Sequence, residues 1–203
     1  MAALLVSMSF MVNAAIVAQL VPAKRHVDFI HAMAEVAKQY PQARFLIVGA
    51  DPHPRGEYGQ SLQNLVDCLG LGEQIHFIGF CADMAAIMAA IMAGLDVVVL
   101  TSASEAFGRV LVEAMYCGLP VVAAAVGGVP QVVEQDKNGL MVPPQRPDLL
   151  AAALLKLAED EALRRELGVA AAVSAQEYST ERMIDKITVL YEELLRQKGV
   201  GDR

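Results

Sequence analysis

Residues 96–115 read DVVVLTSASEAFGRVLVEAM, and this stretch is the most informative about the fold. It begins with a continuously apolar run, passes through small and polar residues, and ends in a segment whose apolar residues recur at helical spacing. A strand that is apolar at every position is typical of a parallel sheet covered by helices on both faces. The stretch therefore predicts a strand, a loop and a helix of an α/β domain.

The same alternation of short apolar runs and longer helical segments extends along most of the chain, which is the βαβ pattern. The predicted strands are Ala14–Leu20, Arg44–Val48, Gln74–Ile78, Asp96–Leu100, Val121–Ala124 and Leu140–Val142. The predicted helices are Val27–Gln39, Gly56–Leu69, Met84–Ala93, Gly108–Cys117, Asp148–Leu157, Glu161–Val173 and Thr180–Gln197. We therefore expect a single α/β domain with a parallel sheet of about six strands, flanked by helices.

The chain divides into an apolar leader (1–13), the domain (14–178) and a C-terminal helix with a tail (179–203). The last helix carries an apolar stripe that we expect to pack on the domain. That stripe consists of Met183, Ile187, Leu190, Tyr191 and Leu194.

Residues 1–23 carry no charged side chain, which raises the alternative of a membrane anchor. A secretory signal needs a positive first region, and a spanning helix needs an unbroken apolar run. The first is absent, and Ser7, Ser9, Asn13 and Gln19 interrupt the second. We therefore favour a leader followed by a buried strand, and the sequence does not indicate peripheral membrane contact.

Composition narrows the function classes. A formal charge of −7 and a pI near 5.1 argue against a nucleic-acid-binding surface. Cys68, Cys81 and Cys117 lie far apart and suggest neither a zinc site nor a disulfide, so we expect a cytoplasmic protein. No DxD, GxGxxG, Walker or GxSxG motif is present, so we expect no metal and no dinucleotide cofactor.

The loop after residues 96–100 lies where open α/β sheets bind ligands, at the carboxyl end of a strand. Gly108 permits close approach of a ligand, and the backbone amides of Phe107–Val110, including Arg109, would form a pocket for phosphate oxygens. Glu105 in the loop and Glu113 in the helix could each accept hydrogen bonds from a sugar or a ribose. Either glutamate could instead be a helix cap or a solvated side chain.

Several motifs in order resemble the retaining glycosyltransferases of family 4, which have the GT-B fold. The resemblance covers about Ile16 to Leu195, and the pair Glu105 and Glu113 matches the E-x7-E motif of that family. The matching segments are SEAFG (104–108), EAM (113–115), GLPVV (118–122), GGVP (127–130) and NGLMVP (138–143).

The resemblance implies that the chain is the Rossmann-like, donor-binding C-terminal half of such an enzyme. It implies that Glu105 contacts hydroxyls of the donor sugar, that Glu113 holds the ribose, and that the loop amides bind the diphosphate. Lys24 matches a lysine that neutralises the diphosphate and would stabilise the leaving group; a solvated surface lysine is the alternative. Gln19 stands where arginine is frequent, which removes a charge-assisted hydrogen bond worth roughly 1.5–3 kcal/mol.

Two further regions match the family. Ile78, Gly79 and Phe80 resemble the strand end that touches the nucleotide base. Gly49 resembles the glycine turn that lines the donor cleft.

The resemblance also implies that an N-terminal domain with the acceptor site and a catalytic histidine is missing. None of the four histidines lies in a replacing motif, and we expect each to be a surface or packing residue. We therefore predict a glycosyltransferase that binds a nucleoside-diphosphate sugar and transfers it with retention to an unknown acceptor when a separate N-terminal half completes it. Two alternatives remain: a non-catalytic, truncated nucleotide-sugar-binding module, and a sugar-nucleotide epimerase of the same architecture.

Overall fold

The structure is a computed structural model that describes residues 13–80 and 93–197. The predicted leader and nearly all of the predicted helix Met84–Ala93 lie outside the described residues. Six strands form one sheet in the order β3-β2-β1-β4-β5-β6, and all their pairings are parallel. The strands are β1 (Asn13–Val17), β2 (Arg44–Val48), β3 (Ile75–Gly79), β4 (Val97–Leu100), β5 (Val121–Ala124) and β6 (Gly139–Val142). The predicted parallel sheet of six strands is confirmed.

The described helices lie close to their predicted positions, with one addition. They are α1 (His26–Gln39), α2 (Glu57–Cys68), α3 (Arg109–Tyr116), α4 (Val129–Val132), α5 (Pro147–Glu159), α6 (Glu161–Ala175) and α7 (Thr180–Gln197). Helix α4 was not predicted, because four residues are too few to show a helical period. Among the described residues, no helix is both long enough and apolar enough to cross a membrane.

Successive residues of the central strands enter two different cores. Ala14 and Ile16 of β1 pack in a cluster with Phe29 and Met33 of α1, whereas Ala15 packs on the opposite face with Leu111 of α3. Helices α1, α2 and α5 cover the first face, and α3, α4 and α6 cover the second. Because side chains alternate across a strand, burial on both faces requires the unbroken apolar runs seen in the sequence.

Strand β1 is shorter than predicted and ends at Val17 rather than Leu20. The amide of Val21 donates to the carbonyl of Gln19 at 2.9 Å, so the chain turns tightly there. The turn leads into a single 3-10 turn, Pro22–Lys24. The apolar character of Leu20 reflects burial of a loop residue, not a longer strand.

The prediction that the C-terminal helix packs on the domain is wrong. Helix α7 has the predicted bounds, but none of its residues is buried, and the stripe residues Met183, Leu190 and Tyr191 are all more than half exposed. Glu177 connects it to the domain through ion pairs with Arg182 at 3.3 Å and Lys186 at 3.7 Å. Other helices already cover the core on both faces of the sheet, so the stripe is not needed to bury it.

Candidate ligand-binding site

A cavity of about 420 Å³ opens at the carboxyl ends of β1, β2 and β4. The sheet order changes direction between β1 and β4, and this is the position at which open α/β sheets bind ligands. Val17, Val48 and Pro52 provide apolar wall. Nine of the twelve predicted site residues also line the cavity: Gln19, Lys24, Gly49, Phe80, Glu105, Gly108, Arg109, Val110 and Glu113.

Three predicted site residues do not line the cavity. The ring of Phe107 lies against Tyr178, with ring centroids 5.3 Å apart in an edge-to-face arrangement. Ile78 packs against the core beneath the sheet, because alternation along β3 points it to that face. The carbonyl of Gly79 accepts a hydrogen bond from the amide of Gly49 at 3.0 Å, so Gly79 contacts a cavity residue without lining the cavity itself.

Lys24 and Glu105 form the central ion pair of the cavity. The ammonium of Lys24 donates to Oε2 of Glu105 at 2.7 Å, and the hydroxyl of Ser102 donates to the same oxygen at 3.2 Å. Their side chains are 30% and 17% exposed, respectively, so water screens the pair only in part. No described residue donates to Oε1 of Glu105, which leaves that oxygen to accept a ligand hydroxyl.

A close backbone approach holds the Glu105 loop in place. The amide of Gly128 donates to the carbonyl of Glu105 at 2.9 Å. A Cβ atom at Gly127 would lie 1.9 Å from that carbonyl oxygen, and one at Gly128 would lie 2.1 Å from the carbonyl oxygen of Ala106. The sequence marked these two glycines through the resemblance only; two adjacent glycines shortly after a predicted strand were the signal of a steric role.

The N-terminus of α3 points into the cavity. The helix begins at Arg109, directly after Gly108 (φ 81°), and no described side chain caps it. Gly108, Arg109 and Val110 line the cavity here. First-turn amides have no partner within a helix, and the helix dipole favours a negative charge at this end. The arrangement suits a phosphate group.

Glu113 lies in the second turn of α3, on the cavity side. It pairs with Nε of Arg109 at 3.7 Å, and its side chain is about half exposed. A carboxylate held in this way can accept hydrogen bonds from a diol. The cavity therefore combines the helix N-terminus, which suits an anion, with two carboxylates that can accept hydrogen bonds from hydroxyl groups.

Gly49 closes the cavity between β1 and β2. Its φ of 145° is unfavourable for other residues, and a Cβ atom there would lie 1.9 Å from the carbonyl oxygen of Ala18. Only glycine allows the two strand ends to approach so closely. The prediction that Gly49 lines the cleft agrees with this geometry.

His26 is completely buried at the start of α1, near the Lys24 turn. Burial lowers the pKa of its ring to about 4, against an opposing effect of the Ala18 backbone, and the charge of Lys24 lowers it further. Neither ring nitrogen has a partner at hydrogen-bond geometry, and the ring contacts Tyr58 edge-on. His26 is thus a neutral packing residue, as the sequence predicted.

Within residues 13–80 and 93–197, no group of three or more His, Cys, Asp or Glu side chains could hold a metal ion. The absence of a metal cofactor stays a prediction.

An open parallel sheet with a helix N-terminus and two carboxylates at its switch point defines an α/β domain whose cavity suits phosphorylated, hydroxyl-rich ligands. The chain belongs to the family described as Glycosyl transferases group 1, whose model matches residues 13–173. The glycosyltransferase resemblance of the motifs is thereby confirmed at the level of this group, while retention and family 4 stay predictions.

Curated relatives are similar over most of this chain but are much longer. The D-inositol 3-phosphate glycosyltransferase of Corynebacterium jeikeium is 33% identical over 86% of this chain and 42% of its own length. The N-acetyl-alpha-D-glucosaminyl L-malate synthase of Bacillus anthracis is 31% identical over 88% of this chain and 44% of its own. The chain therefore spans less than half the length of these relatives.

Solved structures give the same picture. HepE of Anabaena, in complex with UDP and glucose, superposes with a TM-score of 0.81 at 31% identity, over 91% of this chain and 49% of that protein. The C-terminal domain of the group 1 glycosyl transferase LpcC from Francisella tularensis superposes with a TM-score of 0.77 at 29% identity. The match covers 83% of this chain and 87% of that domain. The predicted C-terminal half of a GT-B fold is confirmed.

Proposed function

We propose that this chain is the donor-binding half of a retaining, family 4 glycosyltransferase and that its cavity binds a nucleoside-diphosphate sugar. One observation carries the proposal: the cavity at the switch point unites a lysine, an uncapped helix N-terminus and two carboxylates. The family match favours this activity over the epimerase alternative.

Each group has a defined part in the proposed complex. The first-turn amides of α3 and the ammonium of Lys24 bind the diphosphate, and Lys24 stabilises the negative charge that develops on the leaving group. Oε1 of Glu105 accepts a hydrogen bond from a sugar hydroxyl, while Glu113 accepts bonds from the ribose. Gln19 contacts the donor without adding a second cation, so Lys24 is the main source of positive charge beside β1.

The acceptor site belongs, in this proposal, to a separate N-terminal half. Two observations support it: the chain spans under half of the relatives' length, and α7 presents an unpaired apolar stripe. A contiguous exposed apolar stripe along one helix is typical of a surface that contacts a partner. Transfer with retention is then an activity of the completed enzyme, and the acceptor is unknown.

Calorimetric titration of the chain with UDP, GDP and ADP tests the donor site. UDP is the first candidate, because HepE was solved with it. We expect one nucleotide to bind saturably and Glu113→Ala to weaken binding about tenfold, through loss of a hydrogen bond to a charged group. Glu192→Ala is the matched control: Glu192 also pairs with an arginine one turn away at 3.7 Å, but it lies on α7 outside the cavity.

Equal affinity of wild type and Glu113→Ala would contradict the assigned role of Glu113. Failure of all three nucleotides to bind would contradict the donor site, and with it both the enzyme and the nucleotide-sugar-binding module. Transfer assays with and without an N-terminal half separate a working enzyme from a module that binds donor but never transfers it.

A cytoplasmic location is proposed on the cysteines. Cys68 and Cys117 are free, exposed thiols, which is typical of a reducing compartment.

A further inference from the structure

Two backbone contacts connect the turn that carries Lys24 to the loop that carries Glu105. The hydroxyl of Thr101 donates to the carbonyl of Lys24 at 2.8 Å. Two residues further on, the amide of Ala103 donates to the carbonyl of Ala23 at 2.9 Å. Thr101 follows β4 directly and is only 5% exposed, and it does not line the cavity.

The Lys24 turn has little internal support of its own. It is a single 3-10 turn with no buried residue, and hydrogen bonds in such turns have poor geometry. Its closing bond runs from the amide of Arg25 to the carbonyl of Pro22 at 3.0 Å, and Arg25 itself adopts a left-handed conformation (φ 54°). Contacts from outside the turn must therefore determine where the Lys24 backbone lies.

Downstream, the turn is fixed to α1. Arg25 donates through Nε and one terminal nitrogen to the two oxygens of Asp28, at 2.9 and 2.8 Å. This fork holds the turn to its own helix, but it does not set the distance to β4. The hydrogen bonds of the Thr101 hydroxyl and the Ala103 amide set that distance, because they run from the loop after β4 to the turn that follows the neighbouring strand β1.

We propose that Thr101 is a positioning residue of the donor site: by hydrogen-bonding the Lys24 carbonyl, it holds the Lys24 ammonium opposite Glu105. The proposal rests on the proposed function for its effect on nucleotide binding, but its geometric part concerns the free chain alone. Thr101 touches no ligand and acts through Lys24. No motif marked it, since the hydroxyl bonds to backbone rather than to a chemical group of the ligand.

The first test compares Thr101→Val with Thr101→Ser. Valine keeps the branched shape but loses the hydroxyl, whereas serine keeps the hydroxyl. We expect Thr101→Val to weaken binding of the preferred nucleoside diphosphate about fivefold, as loss of one buried hydrogen bond implies, and Thr101→Ser to restore it to within about twofold. Wild-type affinity in Thr101→Val would overturn the proposal, as would equal weakening in both variants.

A double-mutant cycle with Lys24→Met separates positioning from a general structural effect. If Thr101 acts through Lys24, Thr101→Val weakens binding in the wild-type chain but not in the chain that already lacks the ammonium. Affinity losses that multiply in the double variant would mean that Thr101 acts independently of Lys24, and they would overturn the proposal.

Amide hydrogen exchange of the free chain tests the geometry without any nucleotide. We expect Thr101→Val, but not Thr101→Ser, to speed exchange of the Ala103 and Arg25 amides. Exchange of the Ala18 amide, which donates to Val48 on β2, should not change. Unchanged exchange at Ala103 and Arg25 would overturn the proposal. If wild type binds no nucleotide, the donor-site proposal fails by itself, and this measurement still decides whether Thr101 fixes the turn.

Discussion

At the carboxyl ends of β1 and β4, the side chains of Lys24, Glu105 and Thr101 each have a polar partner within the chain, whereas the 18-residue helix α7 keeps its apolar stripe exposed. The cavity edge is held by the Lys24–Glu105 pair, the Thr101 hydroxyl and the packed glycines at 127 and 128. Helix α7 has only ion pairs and a short turn at its base. The first region is thus held by contacts within the described chain, whereas the stripe of the second is left uncovered by the described domain.

The largest expected effect comes from truncating one leucine in each region. Leu111 of α3 is fully buried beneath the cavity, and Leu190 of α7 is 54% exposed. We expect Leu111→Ala to lower the free energy of unfolding by about 2–5 kcal/mol, through lost burial and a residual cavity. Leu190→Ala should change it by no more than about 0.5 kcal/mol. Urea denaturation of the isolated chain measures both free energies. Similar losses in the two variants would contradict the stated difference in packing between the two regions.

A smaller effect concerns His26, the one described residue near the Lys24 turn with two unpartnered buried ring nitrogens. Its folded pKa of about 4 lies below the ordinary 6.5, so the unfolded chain binds more protons between these values. Stability therefore falls as the pH drops through that window, by up to roughly 3 kcal/mol from this group, and the loss levels off below about pH 4.

Replacing His26 by phenylalanine keeps a ring against Tyr58 and removes the titration. We expect the unfolding free energy of His26→Phe to depend less on pH between 6.5 and 4 than that of wild type. His31→Phe is the control, because His31 is exposed on the same helix. An unchanged pH dependence in His26→Phe would show that folding does not lower the pKa of His26.

The smallest effect lies at the junction of the two regions. The hydroxyl of Tyr178 donates a hydrogen bond to the carbonyl of Gln131 in α4 at 2.6 Å, and the ring of Tyr178 contacts Phe107 in the Glu105 loop. We expect Tyr178→Phe to cost about 1 kcal/mol of stability, since it removes the hydrogen bond and keeps the ring. Tyr191→Phe on α7 should be neutral within about 0.5 kcal/mol. Thermal unfolding of both variants checks this, and a neutral Tyr178→Phe would mean that the hydroxyl does not secure the junction.

The sequence predicted the fold well because apolar runs report burial directly. It placed α7 at its observed bounds, since an amphipathic period marks a helix whether or not the stripe is covered. The same period cannot say what covers the stripe, and the predicted packing of α7 on the domain was therefore wrong. The cavity residues were predicted through motif order, but Ile78 points to the core because a motif gives position in the chain, not side-chain direction. Thr101 was missed because its partner is a backbone carbonyl.

The Lys24–Glu105 pair also bears on how the domain folds. The two residues are 81 positions apart in the sequence, and β1 pairs with β4 across a similar distance. Loops of this length close late and slowly, so the cavity cannot exist in a chain that has formed only its first three strands. A ligand that binds there recognises the finished sheet alone, and by mass action it stabilises the whole domain rather than one half of it. Occupancy of the cavity and completion of folding are thus a single linked equilibrium.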